Sequence, residues 1–272
     1  MKKLLLAIMI LTAAVSQAQE KVKGNREPST VITDVDPFTI IEIGGDYEVA
    51  IVEGVVPQVE ITTDSNLHQF LEVAVVDGNL SISSTANIRS KKEMTIRLIY
   101  PAGLTKIVAK EKAEISAITE LKMDKLEIEV RDDAKLFLTA NISNLTLNLK
   151  GDSRSELNLR GNDAKINFDD KANVKALLKF QDLNLTMKGR TVAKLEGDVK
   201  SGTLLLENKA SFQGDNLVFN NLNMKASQNT NCEVNVKDEL TLAASDSSKV
   251  ELFNSPKVIL EKFTGKTQLI KK

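Results

Sequence analysis

The sequence predicts an all-β fold: a parallel β-solenoid of about 19 residues per coil, capped by an N-terminal β-strand region. Three observations carry this prediction. Phrases of alternating apolar and polar residues recur at a nearly fixed period in the C-terminal two thirds of the chain. Each phrase contains two strand-like runs separated by turn residues. Aromatic residues are scarce, with nine Phe, two Tyr and no Trp, so the core must consist of thin layers of Leu, Ile and Val.

The chain begins with a segment typical of a secretory signal peptide, residues 1–18. Two lysines precede an apolar run from Leu4 to Val15, and Ser16 and Ala18 supply the small residues of a cleavage site. The apolar run has about 12 residues, whereas a membrane-spanning helix needs about 20. We therefore expect cleavage after Ala18, export to the periplasm, the cell surface or the medium, and no membrane span in the remaining chain.

The next two segments precede the repeats. Residues 19–37 are mostly polar, and we expect them to form a flexible leader. Residues 38–103 contain short strand-like runs between turn residues, which predict antiparallel meander or sandwich-like strands that cap the solenoid. Asp77-Gly78 is a hairpin signal because these residues accept the positive φ angles of a tight turn. A short helical turn is expected within residues 65–70.

The repeats fill residues 104–272. Aligned on the first residue of each phrase, they recur at spacings of 19, 19, 19, 20, 19, 18 and 18 residues. Positions 0, +2 and +4 of most phrases are apolar, and +1 and +3 are polar, as in a half-buried strand. The leading residues are Leu126, Leu145, Ala164, Leu183, Thr203, Leu222, Leu240 and Val258. Small or hydroxyl residues follow about eight positions later, at Ala134, Ser153, Ala172, Thr191, Ser211, Thr230 and Ser248.

This period, with two strands per unit, is typical of a solenoid in which each coil buries its apolar face by stacking on the next. Equivalent residues then lie above one another, for example Asn148 over Asn167 over Thr186. An antiparallel sandwich would also alternate, but nothing in a sandwich requires near-equal spacings. General chirality favours a right-handed coil. Open ends need protection, and charge surrounds the last strand at Lys262, Lys266, Lys271 and Lys272.

The sequence offers little catalytic chemistry. His68 is the only histidine and no G-x-S-x-G motif is present, which disfavours a serine-type triad and a zinc site. Two acidic pairs, Asp132-Asp133 and Asp169-Asp170, fall at turns, and we interpret them as turn residues rather than as a weak cation site or a glycosidase pair. We therefore predict no catalytic, cofactor-binding or metal-binding residues.

Cys232 is the only cysteine, so the chain can form no internal disulfide and carries no cysteine for a lipid anchor after the signal segment. Its position in the repeat is partly shared with Leu136, Val174 and Val250, which favours a buried structural thiol over a reactive one. The formal net charge of −1 gives no electrostatic reason to expect nucleic-acid binding.

Several short motifs follow one another in the N-terminal part of the chain. They are FTIIEIGGDYEV at residues 38–49, PQVEI at 57–61, DSNL at 64–67, LEV at 71–73, DGNLSI at 77–82 and PAGL at 101–104. In this order, and followed by the coils, they resemble the putative auto-transporter adhesin head family known as the GIN domain. That resemblance implies a repetitive β-rich protein of the bacterial envelope, suggests adhesion, and brings no catalytic residues. The chain shows no long C-terminal barrel segment, so we do not expect it to export itself.

These observations lead to three functional hypotheses. The first is a non-enzymatic, exported cell-envelope protein that acts as an adhesin-like or scaffold module through its ladder faces. The alternative is a glycan-binding or carbohydrate-active envelope protein, although such solenoids usually display aromatic platforms and here Tyr47 and Tyr100 both lie in the N-terminal part. The third is a periplasmic partner of a signalling or stress system, bound by strand addition. The expected partner is an envelope protein or a polysaccharide.

Overall fold

The protein is a stack of parallel β-coils. Its structure, a computed structural model, describes residues 21–272, so the predicted signal peptide lies outside the described residues. Strands account for 69% of the structure, and coils roughly 19 residues apart form a β-solenoid of about 9 turns. The predicted fold class is therefore confirmed.

Residues 21–100 form nine strands and one short 3-10 helix. They are β1 (Lys21–Lys23), β2 (Pro28–Asp34), β3 (Ile40–Ile43), β4 (Glu48–Glu53), β5 (Gln58–Asp64), the helix η1 (His68–Phe70), β6 (Leu71–Val76), β7 (Asn79–Ser84), β8 (Asn87–Ser90) and β9 (Met94–Tyr100). Among residues 21–272, no helix is long and apolar enough to span a membrane.

The repeats contain the remaining strands. They are β10 (Lys106–Ala109), β11 (Glu114–Ala117), β12 (Leu121–Val130), β13 (Lys135–Leu149), β14 (Arg154–Phe168), β15 (Asn173–Met187), β16 (Val192–Leu206), β17 (Ser211–Ala226), β18 (Asn231–Ala244), β19 (Lys249–Phe253), β20 (Lys257–Phe263) and β21 (Gln268–Lys271).

Two parallel ladders run along the stack. The first ladder passes from β7 through β3 and β10 to the C-terminal halves of β12 to β18, and it ends at β20. The second ladder passes from β9 through β4 and β11 to the N-terminal halves of β13 to β18, and it ends at β19 and β21. The order of strands along the stack therefore differs from their order in the chain. Strands β7 and β9 follow β3 and β4 in sequence but lie beyond them at the end of the stack.

Each long strand bends once between the two ladders. In β15, buried and exposed residues alternate up to Phe180, Gln181 and Asp182 are both exposed, and the alternation then resumes in the opposite phase. A comparable break occurs in β13, β14 and β16. Two adjacent outward residues allow one strand to bury side chains on both sides of a corner, which explains how a 15-residue strand wraps around the core.

The predicted core column is confirmed in register for all but one of its members, although Val258 at the end of the stack is 38% exposed. Its observed sequence is Leu126, Leu145, Ala164, Leu183, Gly202, Leu222, Leu240 and Val258. The assignment of Thr203 to this column is wrong: Thr203 is exposed, and Gly202 takes the inward place. A Cβ on Gly202 would lie 2.4 Å from Cε1 of Phe219, because the Phe219 ring fills the space that a side chain would need.

A second predicted column, of small residues in the turns, is also confirmed with one correction. Ser211 is not a member, because the one-residue error at Thr203 carries into the next turn, where Ala210 is the buried residue. The column consists of Ala134, Ser153, Ala172, Thr191, Ala210, Thr230 and Ser248. The predicted stack of Asn148, Asn167 and Thr186 is also present, and Nδ2 of Asn167 donates to Oδ1 of Asn148 at 2.8 Å.

The N-terminal part differs from the predicted antiparallel meander. Strands β3, β4, β7 and β9 pair in parallel and form two coils of the solenoid. Their alternating residues, such as Ile41 and Ile43 in β3, continue the buried columns of the repeats. Within residues 21–272, antiparallel pairing is restricted to β6 with β7, β5 with β9, and β2 with β5, which together cover this end of the stack.

The predicted flexible leader is corrected by strand β2. Its β-branched run from Thr30 to Thr33 pairs along its whole length with β5, so this part of residues 19–37 is ordered strand. The predicted hairpin turn is confirmed, since Asp77 and Gly78 have φ angles of 51° and 74° between β6 and β7. The predicted helical turn is confirmed as η1.

Candidate functional site

A continuous polar surface follows the bend of the central coils. It consists of three columns of outward side chains, and equivalent residues lie about 4.8 Å apart in successive coils. We call this surface the corner face; its residues are Asn141, Arg160, Lys179, Asp198, Asn144, Asp163, Asp182, Ser201, Thr146, Lys165, Asn184 and Thr203.

Two shallow grooves flank the bend on the corner face. The first has a volume of about 460 Å³ and includes Arg160 and Lys179 in its walls, with the buried ring of Phe180 among its lining residues. The second has a volume of about 410 Å³ and is lined by residues such as Asp163 and Asn184. Both grooves are open and have mixed polar and apolar linings, which suits contact with an extended surface or chain better than enclosure of a small reactant.

The corner face carries three cations and three anions, and like charges are neighbours in the pairs Arg160–Lys179 and Asp163–Asp182. Nη2 of Arg160 lies 2.7 Å from Oε1 of Glu120, whereas Lys179 is exposed and next to it in the ladder. The face therefore offers hydrogen-bond donors and acceptors without a strong net field, which favours recognition of a polar partner over attraction of a polyanion.

The cavity with the largest volume among those described lies near the N-terminal end of the first ladder. We call it the N-terminal cleft, about 720 Å³ in volume; its polar residues are Glu42, Tyr47, Asn79, Ser81, Ser83, Ser84, Asn87, Lys110 and Glu111. Glu42 of β3 and Ser81 of β7 are direct ladder partners on its floor. The turn after β3 and the segment leading into β8 supply its walls.

Hydrogen bonds fix the charged groups of the N-terminal cleft. Nζ of Lys110 donates to Oε1 of Glu42 at 2.5 Å, and Nδ2 of Asn79 donates to Oε2 of Glu42 at 3.1 Å. The bond from Lys110, followed by that from Asn79, lowers the pKa of Glu42. The carboxylate of Glu111 accepts the backbone N–H of Gly45 at 2.8 Å. Burial raises the pKa of Tyr47, so its hydroxyl is a neutral group at physiological pH.

The acidic pairs singled out by the sequence take part in turns. Asp132 and Asp170 have φ angles of 59° and 61°. Oδ2 of Asp132 accepts the backbone N–H of Glu111 at 2.9 Å, and Oδ2 of Asp170 accepts that of Gly151 at 3.3 Å. Oδ1 of Asp169 accepts the backbone N–H of Asp170 at 2.9 Å. These carboxylates thus close turn backbones, two of them in the preceding coil.

Asp133 also takes part in a turn, donating its backbone N–H to the carbonyl of Glu111 at 2.8 Å. Within residues 21–272, no group of three or more His, Cys, Asp or Glu side chains is arranged to hold a metal ion. The predicted role of the acidic pairs in turns accounts for their observed contacts.

His68 lies away from both polar surfaces. Its Nε2 is 3.1 Å from Oγ of Ser29 and 3.0 Å from the carbonyl oxygen of Ser29. The imidazole therefore ties η1 to strand β2 of the cap, which is a structural contact.

Cys232 is fully buried in the second ladder, where it lies between Phe212 and Val250. Burial is the main cause that raises the pKa of its thiol from 9.0 to about 12. The thiolate is the reactive form of cysteine, so this thiol is protected in the folded state.

We expect this thiol to make the protein less stable at alkaline pH. Below pH 9 the thiol is protonated in both states; between about 9 and 12 only the unfolded chain ionises, so the free energy of unfolding falls by about 1.4 kcal/mol per pH unit. The stability advantage of the native protein over a Cys232→Ala variant should therefore shrink by about 2 kcal/mol between pH 8 and pH 10.5 in urea titrations. An advantage independent of pH would contradict the shifted pKa.

Sequence reasoning did not single out the corner face or the N-terminal cleft as sites. In the sequence, the outward residues of the corner are indistinguishable from ordinary solvent-exposed strand positions. The cleft forms only when the segment before β8 folds back near β7, and the sequence pattern does not predict that arrangement. One available signal was the Gly44-Gly45 pair before Tyr47, because Cβ atoms there would lie 2.8 Å from Cε of Lys110 and from Cε2 of Tyr47 respectively.

Comparison with protein families gives a match over most of the chain. A family model described as putative auto-transporter adhesin, head GIN domain matches residues 37–162 and, a second time, residues 139–256. The two matches overlap and together span the coils, as expected when one repeating architecture fills the chain. The resemblance seen in the N-terminal motifs is thus confirmed. None of the curated proteins matches this sequence.

Three solved structures with the same fold come from Parabacteroides species. A putative adhesin from Parabacteroides distasonis ATCC 8503 is 18% identical with a TM-score of 0.70, and the alignment covers 93% of this chain and 100% of that one. A putative adhesin from Parabacteroides merdae ATCC 43184 is 19% identical with a TM-score of 0.68, covering 93% and 99%. A putative lipid binding protein from P. distasonis ATCC 8503 is 14% identical with a TM-score of 0.61, covering 93% and 100%. At these identities the likeness establishes the fold alone.

Proposed function

This chain belongs to the family described as putative auto-transporter adhesin, head GIN domain, and from that premise we propose that it is a non-enzymatic, exported envelope module that binds its partner through the corner face. The observation that carries the proposal is the unbroken register of the polar columns across β13, β14, β15 and β16. A surface of this kind is fixed by the backbone ladders beneath it, so binding requires little ordering of the protein.

The chemistry of the corner face also supports a binding role. Its columns present amide, hydroxyl and charged groups on a rigid strand scaffold. The two flanking grooves make this surface uneven, so that a partner can fit into it. Arg160 is suited to planar hydrogen bonding with carboxylate or amide groups of a partner. The acidic pairs and His68, which were the candidates for chemistry, have structural contacts instead.

We expect the corner face to be required for capture of envelope material. Beads coated with the purified protein would be incubated with labelled envelope extract of the source cells, and bound material measured against protein density. Charge reversal by Arg160→Glu with Lys179→Glu should weaken binding about tenfold, which corresponds to about 1.4 kcal/mol. Protease or periodate treatment of the extract would distinguish a protein partner from a polysaccharide.

The matched control reverses two cations on another column, in β15 and β16 instead of β14 and β15. Lys175 and Lys194 are direct ladder partners, as Arg160 and Lys179 are, but they lie outside the corner face. Lys175→Glu with Lys194→Glu therefore makes the same change in net charge. Equal binding by the two double variants, or no capture by the native protein, would refute the proposed function.

A further inference from the structure

The N-terminal cleft is separate from the corner face and has the features of a ligand site. Its volume of about 720 Å³ falls in the range of pockets that hold small molecules. Its lining converges from three parts of the chain: strands β3 and β7 on the floor, the turn from Gly44 to Tyr47 on one wall, and Lys110 with Glu111 beside it. The absence of side chains on Gly44 and Gly45 lets the side chains of Lys110 and Tyr47 pack closely against this turn.

The charges of the cleft are already compensated within the protein. Lys110 is paired with Glu42, and the carboxylate of Glu111 accepts the N–H of Gly45. An anion would have to compete with Glu42 for Lys110, and a cation would meet no cluster of three or more metal-binding groups in the described chain. A neutral ligand does not have to displace Glu42 from Lys110 and does not need a cluster of metal-binding groups.

The backbone of the cleft floor is not available to a peptide strand. Strand β3 is paired with β7 on one edge and β10 on the other, and β7 is paired with β3 and β6, so neither strand offers a free edge toward the cleft. Peptides that bind by strand addition need such an edge. Recognition in the cleft must therefore use side chains, and these include the hydroxyls of Ser81 and Ser83 and the amide of Asn87.

We propose that the N-terminal cleft binds a neutral, hydroxyl-rich sugar unit. Sugar hydroxyls both donate and accept hydrogen bonds, as do the hydroxyl and amide groups that line the cleft. Tyr47 and Ile82 also line the cleft, but only 7% and 4% of their surfaces are exposed, so the contacts open to a ligand are mainly polar. This site goes beyond the proposed corner-face function and does not depend on it.

Tyrosine fluorescence provides a direct test because the chain has two tyrosines and no tryptophan. In a Tyr100→Phe background, Tyr47 is the remaining fluorophore, and titration with a panel of neutral mono- and disaccharides should give a saturable change for at least one of them. Asn79→Leu, which removes the amide that positions Glu42, and Ser81→Phe, which fills the cleft, should each weaken that binding at least tenfold. Asn148→Leu changes an outward residue of β13 away from the cleft, and it should leave sugar binding unchanged.

The outcomes separate this proposal from its alternatives. Circular dichroism and thermal melting would first establish that each variant is folded. Saturable sugar binding that is weakened by both cleft variants, and retained by Arg160→Glu with Lys179→Glu, supports the site whether or not the corner face binds envelope material. The proposal is overturned if no saccharide in the millimolar range changes the signal, if a peptide or an anion binds the cleft instead, or if both cleft variants bind sugar normally.

Discussion

Aspartate in place of Leu185 is expected to prevent folding of the central coils. Leu185 has no solvent exposure and lies in one internal column between Ile166 and Leu204. The substitution removes leucine packing, which alone costs about 2–5 kcal/mol, and leaves an unpaired carboxylate among apolar side chains, at a further cost of several kcal/mol. Their sum is comparable with the whole stability of a typical domain, about 5–15 kcal/mol.

The measurement is urea-induced unfolding followed by far-UV circular dichroism. Leu185→Asp should show little native signal without urea, while Leu185→Ala should fold with a free energy of unfolding reduced by about 2–5 kcal/mol. The matched control is Asn184→Asp, which introduces the same carboxylate on the exposed side of the same strand. A Leu185→Asp protein as stable as Asn184→Asp would mean that the internal column does not exist.

The inward and outward positions of the central repeats could be predicted because burial imposes a period of two on each strand. Leu126, Leu145 and Leu183 share their column as expected, since slipping by one residue would expose every apolar side chain in the strand. The prediction from the pattern was wrong at Gly202, because glycine has no side chain that would show whether its position faces the core or the solvent. The alignment then selected the neighbouring Thr203, although the missing volume is supplied by Phe219 from the next coil.

The order of the coils at the N-terminal end could not be predicted from the period. Ile40 pairs with Asn79 on one side and with Lys106 on the other, so neighbours in the ladder are separated by 39 and 66 residues in the chain. These separations include the antiparallel strands of the cap, which interrupt the repeat. For the same reason the N-terminal cleft has no local signature, because its floor and walls come from distant segments. The right-handed sense of the coil stays a prediction.

Alanine in place of Gly197 is expected to produce a second large loss of stability. Gly197 has a φ angle of 118°, a conformation that other residues rarely adopt, and a Cβ there would lie 2.0 Å from the carbonyl oxygen of Leu178 in the preceding coil. The backbone strain costs about 1–3 kcal/mol. The overlap adds to it, because a backbone oxygen held in a ladder cannot move aside as a flexible side chain can.

Two other glycines separate these causes. A Cβ on Gly161 would lie 1.8 Å from the carbonyl oxygen of Ile142, but the φ angle of Gly161 is outside the left-handed region, so Gly161→Ala tests the overlap alone. Gly103 has a φ angle of 96° and no atom within 4 Å of an added Cβ, so Gly103→Ala tests the strain alone. In urea titrations, Gly103→Ala should lose about 1–3 kcal/mol, and Gly197→Ala should lose more than Gly103→Ala.

The comparison also tests how tightly the coils are stacked. Cβ-to-oxygen distances of 1.8 and 2.0 Å can be relieved only if adjacent coils separate, which breaks ladder hydrogen bonds on both sides of the corner. If Gly161→Ala and Gly197→Ala cost no more than Gly103→Ala, the strands must be able to part at little cost, and the corner face would be a deformable surface. If both cost more, the bend is held rigidly by the backbone beneath it, and a partner of the corner face meets a preformed surface.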